Sequence, residues 1–329
     1  MPPKKSQSKG SKAENAGEST HPAPAQASDS KDTTSSKDGS ERTKPPTNDA
    51  SKKRKAQPPA DSKKAPRRSG RGTPPTTVDP IKILQFLLSP SSLDLCRPKD
   101  EIEDLQNRGA GTRTYSSSTF TPFEELICAL ILSRPIGHML GLRSIRTIFN
   151  APYELITPKK IREADKEGCR EALDKARTQH RQKTAEELVL LADAVVEHLG
   201  NGEDDVSLER VREESGYDVD KEREMLKKHT KGLGKTGLDI FGRRIQAIWP
   251  KFYPFIDERT LGAVETLGLP KSAERLRDLM NEHWSDLKID DIKAKDEEEK
   301  KRKAFVRILE RAVGAELEGN IDSIKTQAA

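Results

Sequence analysis

Apolar side chains first gather between Ile81 and Leu88, where Ile81, Ile83, Leu84, Phe86, Leu87 and Leu88 predict a short helix. Asp79 suits its N-cap and Pro80 its first position. Residues 97–120 are polar and rich in Gly and Ser, and read as a loop. A strong helix opens at Thr121-Pro122-Phe123-Glu124-Glu125, with Glu124 in the capping-box position, and runs on as Leu126 to Leu132. It is apolar on nearly every side, the mark of a buried central helix. A second helix over about 137–149 turns Leu140, Ile145, Ile148 and Phe149 inward. Thr157-Pro158 starts a short helix and Asp165 to Ala176 another. A long amphipathic helix then carries Leu188, Leu191, Val195 and Leu199 on one stripe, and Gly200-Asn201-Gly202 stops it.

Two short charged helices, over 207–214 and 219–228, lead to a tight turn at Gly232-Leu233-Gly234. A further helix is expected from Lys235 to Trp249. After Asp257 come helices over 260–267, 272–284 and 297–317; the last places Phe305, Ile308, Leu309, Val313 and Leu317 at helical spacing. No strand series and no internal repeat is evident. The expected class is therefore all-α, about ten helices joined by short connections.

Composition divides the chain. Residues 1–78 hold 17 Lys and Arg against 8 Asp and Glu and almost no large apolar side chains, which predicts a disordered basic tail. Its clusters Lys52-Lys53-Arg54-Lys55 and Lys63 to Arg68 suit a nuclear import receptor, and hence a nuclear location. The expected segments are the tail at 1–78, a helix-and-loop lead-in at 79–120, a main domain at 121–285 and a C-terminal helix at 286–329 packing on it. No apolar run reaches membrane-spanning length, and no secretory or transit signal is evident. The three cysteines, Cys96, Cys128 and Cys169, are odd in number and far apart, which argues for a reducing compartment.

Candidate chemistry centres on the glycine turn. A Gly-x-Gly turn opening a helix can present backbone N–H groups to a phosphate, assisted by the helix dipole. Residues 221–251 carry nine Lys and Arg against three acids, so positive charge is expected to focus there. A plain glycine-capped connection between helices is the competing reading. Asp257, after Phe255-Ile256 and before a helix, is expected to be partly desolvated near this turn. Such an acid can stabilise a cationic sugar or activate a water that attacks it, and cleavage of an extruded base from its sugar needs that. It is also a good N-cap residue.

The stretch Phe123 to Leu267, about 145 residues, resembles the helix-hairpin-helix (HhH-GPD) DNA glycosylase superfamily, which contains endonuclease III and the adenine and 3-methyladenine glycosylases. Phe123 to Ser133 is similar to that family's opening core helix, Gln182-Lys183-Thr184-Ala185 to its Lys-Ala helix start, and Gly232-Leu233-Gly234 to its hairpin. Asp239 fits an often acidic position, and Ile256-Asp257 is similar to the signature of the catalytic aspartate. The resemblance implies a two-lobed helical fold, a monomeric protein acting on double-stranded DNA that contains a lesion, and Asp257 as the catalytic group. It implies DNA contacts from Lys231, Gly232, Leu233, Gly234, Lys235, Thr236 and Gly237, with Arg134 filling the gap left by an extruded base and His180, Gln182 and Lys183 facing the duplex. Bifunctional members carry a lysine two residues after the second hairpin glycine, where this chain has Thr236 and Lys235 stands one residue earlier. A monofunctional hydrolase is therefore expected rather than a lyase. No cysteine follows Cys169, so the four-cysteine iron cluster of many members has no ligands here, and no cofactor or metal is expected. Two rivals stand beside this expectation: the same fold used as a non-catalytic reader of bent or damaged DNA, and an adaptor working through charged helices alone.

Overall fold

The computed structural model describes residues 78–329 except 110 and 118, so the basic clusters, Lys52 to Lys55 included, lie outside the described residues. Every regular element among the described residues is helical. In order these are α1 (Pro80–Leu88), α2 (Lys99–Arg108), α3 (Pro122–Leu132), α4 (His138–Ile148), α5 (Pro158–Lys175), α6 (Arg181–Ala194), α7 (Glu209–Glu214), α8 (Val219–His229), α9 (Lys235–Ile245), α10 (Glu258–Thr266), α11 (Ala273–Glu282), α12 (Glu297–Leu317) and α13 (Ile321–Ala328).

The local signals explain most boundaries. Asp79 caps α1 by accepting from the Ile81 amide, with Pro80 in the first turn. Thr121 and Glu124 form the full capping box of α3, whose apolar residues from Phe123 to Ile131 are all buried. α5 is one helix broken at Asp165 (φ 52°), whose carboxylate accepts from the Glu167 and Gly168 amides and so caps the second half.

Three expectations are corrected. Residues 97–120 are not all loop: α2 forms there, a polar helix with Asp100 and Glu101 in its first turn. Ion pairs from α4 hold it, Arg146 to Asp100 at 3.1 Å and to Asp104 at 2.6 Å, and Arg143 to Asp100 at 2.8 Å. α9 ends at Ile245 and not at Trp249, because Gln246 turns its side chain to the Phe255 backbone and Pro250 disfavours a helical Trp249. On α4, Leu142 is the buried leucine, and Leu140 stays partly exposed.

Apolar side chains form two clusters. One is built on α3, with α4 to α9 around it, and includes the ring contacts of Phe241 with Trp249 and Phe252. The other unites α1 with α10 to α13, so both ends of the described chain meet in one core. α3 packs against α9, and α12 against both α10 and α9. The amino ends of α9 and α10 therefore face a common space.

The first helix of the hairpin stores a strained acid. Glu222 on α8 is buried, neither carboxylate oxygen has a hydrogen-bond partner, and Arg212 Nε stands 3.9 Å away. Burial pushes its carboxyl up to about 7, against the pull of Arg212 and helped by Asp218 and Glu209. The folded chain thus prefers the protonated form. That contribution to stability is complete below about pH 4, the unfolded value, and is lost as pH rises through 7. Glu222→Gln is expected to raise stability by about 1–3 kcal/mol at pH 8 and by little at pH 4. Urea unfolding at the two pH values checks this; equal gains at both would contradict it.

Candidate active site

A cavity of about 500 Å³ opens between the two apolar clusters. Its walls are the turn from α3 to α4 (Ser133 to His138), one face of α9 from its first turn to its last (Lys235, Thr236, Asp239, Arg243), the start of α10 (Asp257 to Arg259), one face of α12 and Tyr115. Asp257 stands in this wall as the N-cap of α10, 9% exposed. Its Oδ1 accepts from the Thr260 amide at 3.1 Å, and its Oδ2 from Thr260 Oγ1 at 2.6 Å and Arg243 Nη1 at 2.8 Å. Burial alone would raise its pKa, but Arg243 and the Thr260 hydrogen bonds outweigh this and hold it below the usual carboxylate value. Asp257 is thus both a helix cap and an ionised group on a cavity wall.

Its position is fixed from α9. The Gln246 side chain donates to the Phe255 carbonyl and accepts from the Phe255 amide, both at 2.9 Å, which clamps the segment before Asp257 to the end of that helix. Arg243 reaches further, its Nε donating to Glu310 of α12 at 2.6 Å. Arg244 binds Glu125 of α3 through two bonds of 2.9 Å and donates to the Tyr115 carbonyl at 3.0 Å. Arg243 and Arg244 against Asp257, Glu310 and Glu125 leave one net negative charge in a buried layer behind the cavity. This corrects the charge focus expected at the hairpin. Two of its nine cations point inward and are neutralised there, while Lys231 and Lys235 remain exposed.

The hairpin itself runs from the end of α8 through Thr230 to Gly234, the uncapped N-terminus of α9. Gly232 has φ +87°, and a Cβ there would stand 2.8 Å from Glu187 Oε1. The fold therefore requires this glycine. Gly234 is different: its φ of −94° suits any residue, and a Cβ would meet nothing within 4 Å. Gly232→Ala is expected to lose about 1–3 kcal/mol of stability, and Gly234→Ala close to none. If a nucleic-acid backbone closes on this turn, Gly234→Ala weakens duplex binding while its Tm stays at the wild-type value. Unchanged binding would remove the hairpin from the interface.

Of the other expected contact residues, Lys235 and Thr236 share the cavity with Asp257. Lys235 is exposed and pairs with Asp239 at 2.9 Å; that hydrogen bond raises its pKa, so the amine is held protonated and is a poor nucleophile. Gly237 is buried beneath Leu233 and Ser133. Arg134 also lines the cavity, but its side chain is buried in an ion pair with Glu187 of α6. His180, Gln182 and Lys183 are exposed at the start of α6, outside the Asp257 cavity, around a separate shallow hollow with Asp174 and Arg181. One turn further along α6, Glu186 pairs with Lys231 at 3.2 Å and Glu187 backs Gly232, which places this helix beside the hairpin.

Sequence reasoning missed Arg243, Thr260, Glu310, Gln246 and Tyr115. The available signal was a pair of arginines within an otherwise buried face of α9, and a Glu-Arg pair set among the apolar positions of α12. Among the described residues no helix is long and apolar enough to cross a membrane. Comparison with protein-family models, with curated proteins and with solved structures finds no match to this chain.

Proposed function

We propose that this chain is a monofunctional DNA base-excision glycosylase, working in the nucleus on a damaged or mispaired base, with an HhH-GPD arrangement of its helices. One observation carries the reading: an ionised, nearly buried aspartate and the amino end of the hairpin's second helix line the same cavity, which is of a size to receive an extruded nucleotide. The hairpin amides, with Lys231 and Lys235, grip a phosphate beside the cavity mouth. The C1′–N bond breaks with its electron pair leaving on the base. Asp257, in a layer of net negative charge, stabilises the cationic sugar. Water adds to C1′ and gives up a proton, the base gains one, and the products are a free base and an abasic sugar. The protonated, acid-paired Lys235 and the hydroxyl at Thr236 favour hydrolysis over Schiff-base chemistry.

The second reading is a non-catalytic DNA-binding protein using the same surface. It is favoured by the three donors already bound to Asp257, which saturate much of its acceptor capacity. A panel of duplexes with single damaged or mispaired bases separates the two. Release of a free base by the wild-type chain, lost in Asp257→Asn, supports the enzyme. Binding without release from any lesion, indifferent to that substitution, supports the reader. Borohydride trapping of a covalent complex would contradict the monofunctional mechanism.

A further inference from the structure

Water that adds to C1′ of a nucleotide in this cavity must give its proton to a base. Four carboxylates line the cavity: Asp239, Asp257, Glu258 and Glu310. Asp239 is held by Arg223 at 2.6 Å and by Lys235 at 2.9 Å. Asp257 accepts three hydrogen bonds, two of them on Oδ2. Glu258 is exposed and acts electrostatically on Lys235 at the hairpin. His138 is a poor base, because burial brings its imidazole down to about 4 and its Nε2 is sealed without a partner.

Glu310 of α12 differs from these. Its side chain is 10% exposed. Its Oε1 accepts from Arg243 Nε at 2.6 Å. Its Oε2 accepts no hydrogen bond from the described residues, and Arg244 Nη1 stands 3.9 Å off. Unlike both oxygens of Glu222, that oxygen is not sealed from solvent. A carboxylate oxygen with accessible surface and no protein donor binds water. Glu310, with Ser116 and Arg311, also lines two cavities at once, the one that holds Asp257 and a neighbouring one of about 350 Å³. Water therefore has room beside Glu310 when a nucleotide fills the first. Arg243 binds Glu310 through Nε and Asp257 through Nη1, so one guanidinium holds the two carboxylates side by side. Inverting glycoside hydrolysis uses a carboxylate as the base for the water that attacks an anomeric carbon.

We propose that Glu310 is a second catalytic residue of this cavity, the general base that takes the proton of the attacking water while Asp257 stabilises the sugar cation. The inference rests on the glycosylase reading. The water oxygen bonds to C1′ and its proton passes to Glu310 Oε2. The electron pair of the broken C1′–N bond leaves on the nucleobase, which takes a proton from solvent, and Glu310 returns its own to solvent.

The test uses the full chain and the panel of single-lesion duplexes, with base release read in single turnovers. Glutamine keeps an oxygen for Arg243 Nε, and Arg243 keeps Asp257, so Glu310→Gln should fold. It is expected to release the base about 10²-fold more slowly than the wild type. Sodium azide, a nucleophile with no proton to lose, should restore much of that rate and leave an azide at C1′ in place of the hydroxyl, read by mass spectrometry. Sodium chloride at the same ionic strength should do neither. Asp257→Asn should not respond to azide, because it lacks the counter-charge and not the base. Release at the wild-type rate by Glu310→Gln overturns the proposal and leaves the glycosylase reading standing. So does a slow Glu310→Gln that azide neither rescues nor labels, which leaves Glu310 as a group that only holds Arg243. If Glu310→Gln does not fold, Glu310→Asp is read by the same two criteria, since it keeps the charge and withdraws the oxygens by one methylene. If the wild type releases no base from any duplex, the glycosylase reading falls and this inference with it.

Discussion

Asp257→Asn is expected to lower single-turnover base release by about 10²–10⁴-fold, the range found when a positioned charge or general base is removed from an active site. The substitution keeps the side-chain volume and the amide oxygen that caps α10, so the Thr260 amide keeps an acceptor. What disappears is the charge. The buried layer of Arg243, Arg244, Asp257, Glu310 and Glu125 goes from one net negative charge to none, and the cationic sugar loses its counter-charge. The stability change should be modest by comparison, because Arg243 keeps Glu310 at 2.6 Å. This separation of rate from Tm distinguishes a chemical role from a cap. The pH profile adds a second check. The Asp257 carboxyl titrates below the ordinary carboxylate range, so loss of the ionised form cannot bend the rate between pH 5 and 8. An acidic limb near pH 6 that vanishes in Asp257→Asn would show a raised pKa and a different local environment. Release at the wild-type rate by Asp257→Asn would remove Asp257 from the chemistry.

How much of this site could be read in advance depends on the range of the interactions. Local signals were legible because they act within one turn. The Thr121–Glu124 capping box, Asp79 before Pro80, the Gly232 turn and the full extent of α12 are settled by neighbours in sequence. Asp257 was legible as an acid at a helix start for the same reason. Its partners were not. Arg243 lies 14 residues back on another helix, and Glu310 is 67 residues beyond Arg243. Amphipathic patterning treats an arginine as a solvent-facing residue, yet Arg243 and Arg244 are the positions at which α9 meets α10, α12 and α3. The same blindness hid α2, whose polar sequence carries no apolar stripe and whose stability comes from arginines on α4. It also made the hairpin look more cationic than it is, since counting charges does not say which way they point.

Arg243→Met should be the most destabilising single change at the site, at about 3–5 kcal/mol, the usual cost of removing one member of a buried ion pair. Methionine fills much of the space of the arginine stem but cannot donate to Asp257 or Glu310, which are both about nine-tenths buried. The two carboxylates would then lose the cation they share, Asp257 keeping its Thr260 hydrogen bonds and Glu310 a 3.9 Å contact with Arg244. The pH dependence has a definite sign. In the wild type the depressed pKa of Asp257 gives stability that is present above the unfolded value, about 3.9, and is lost as pH falls through the folded value. Without Arg243 the strongest of the groups that oppose burial is gone and only the two Thr260 hydrogen bonds still favour the ionised form, so the Asp257 carboxyl moves up toward the protonated form. The penalty should be largest at pH 7–8 and shrink as pH falls toward 4. Glu310→Gln in the same chain removes one of the stranded charges, so the double variant should lose less than the sum of the two single losses, by at least about 1 kcal/mol. Chemical unfolding of the four proteins at pH 7.5 and pH 4.5 gives both numbers. Additive losses, or a penalty that grows on acidification, would show that Arg243 is not the residue holding these carboxylates in their ionised form.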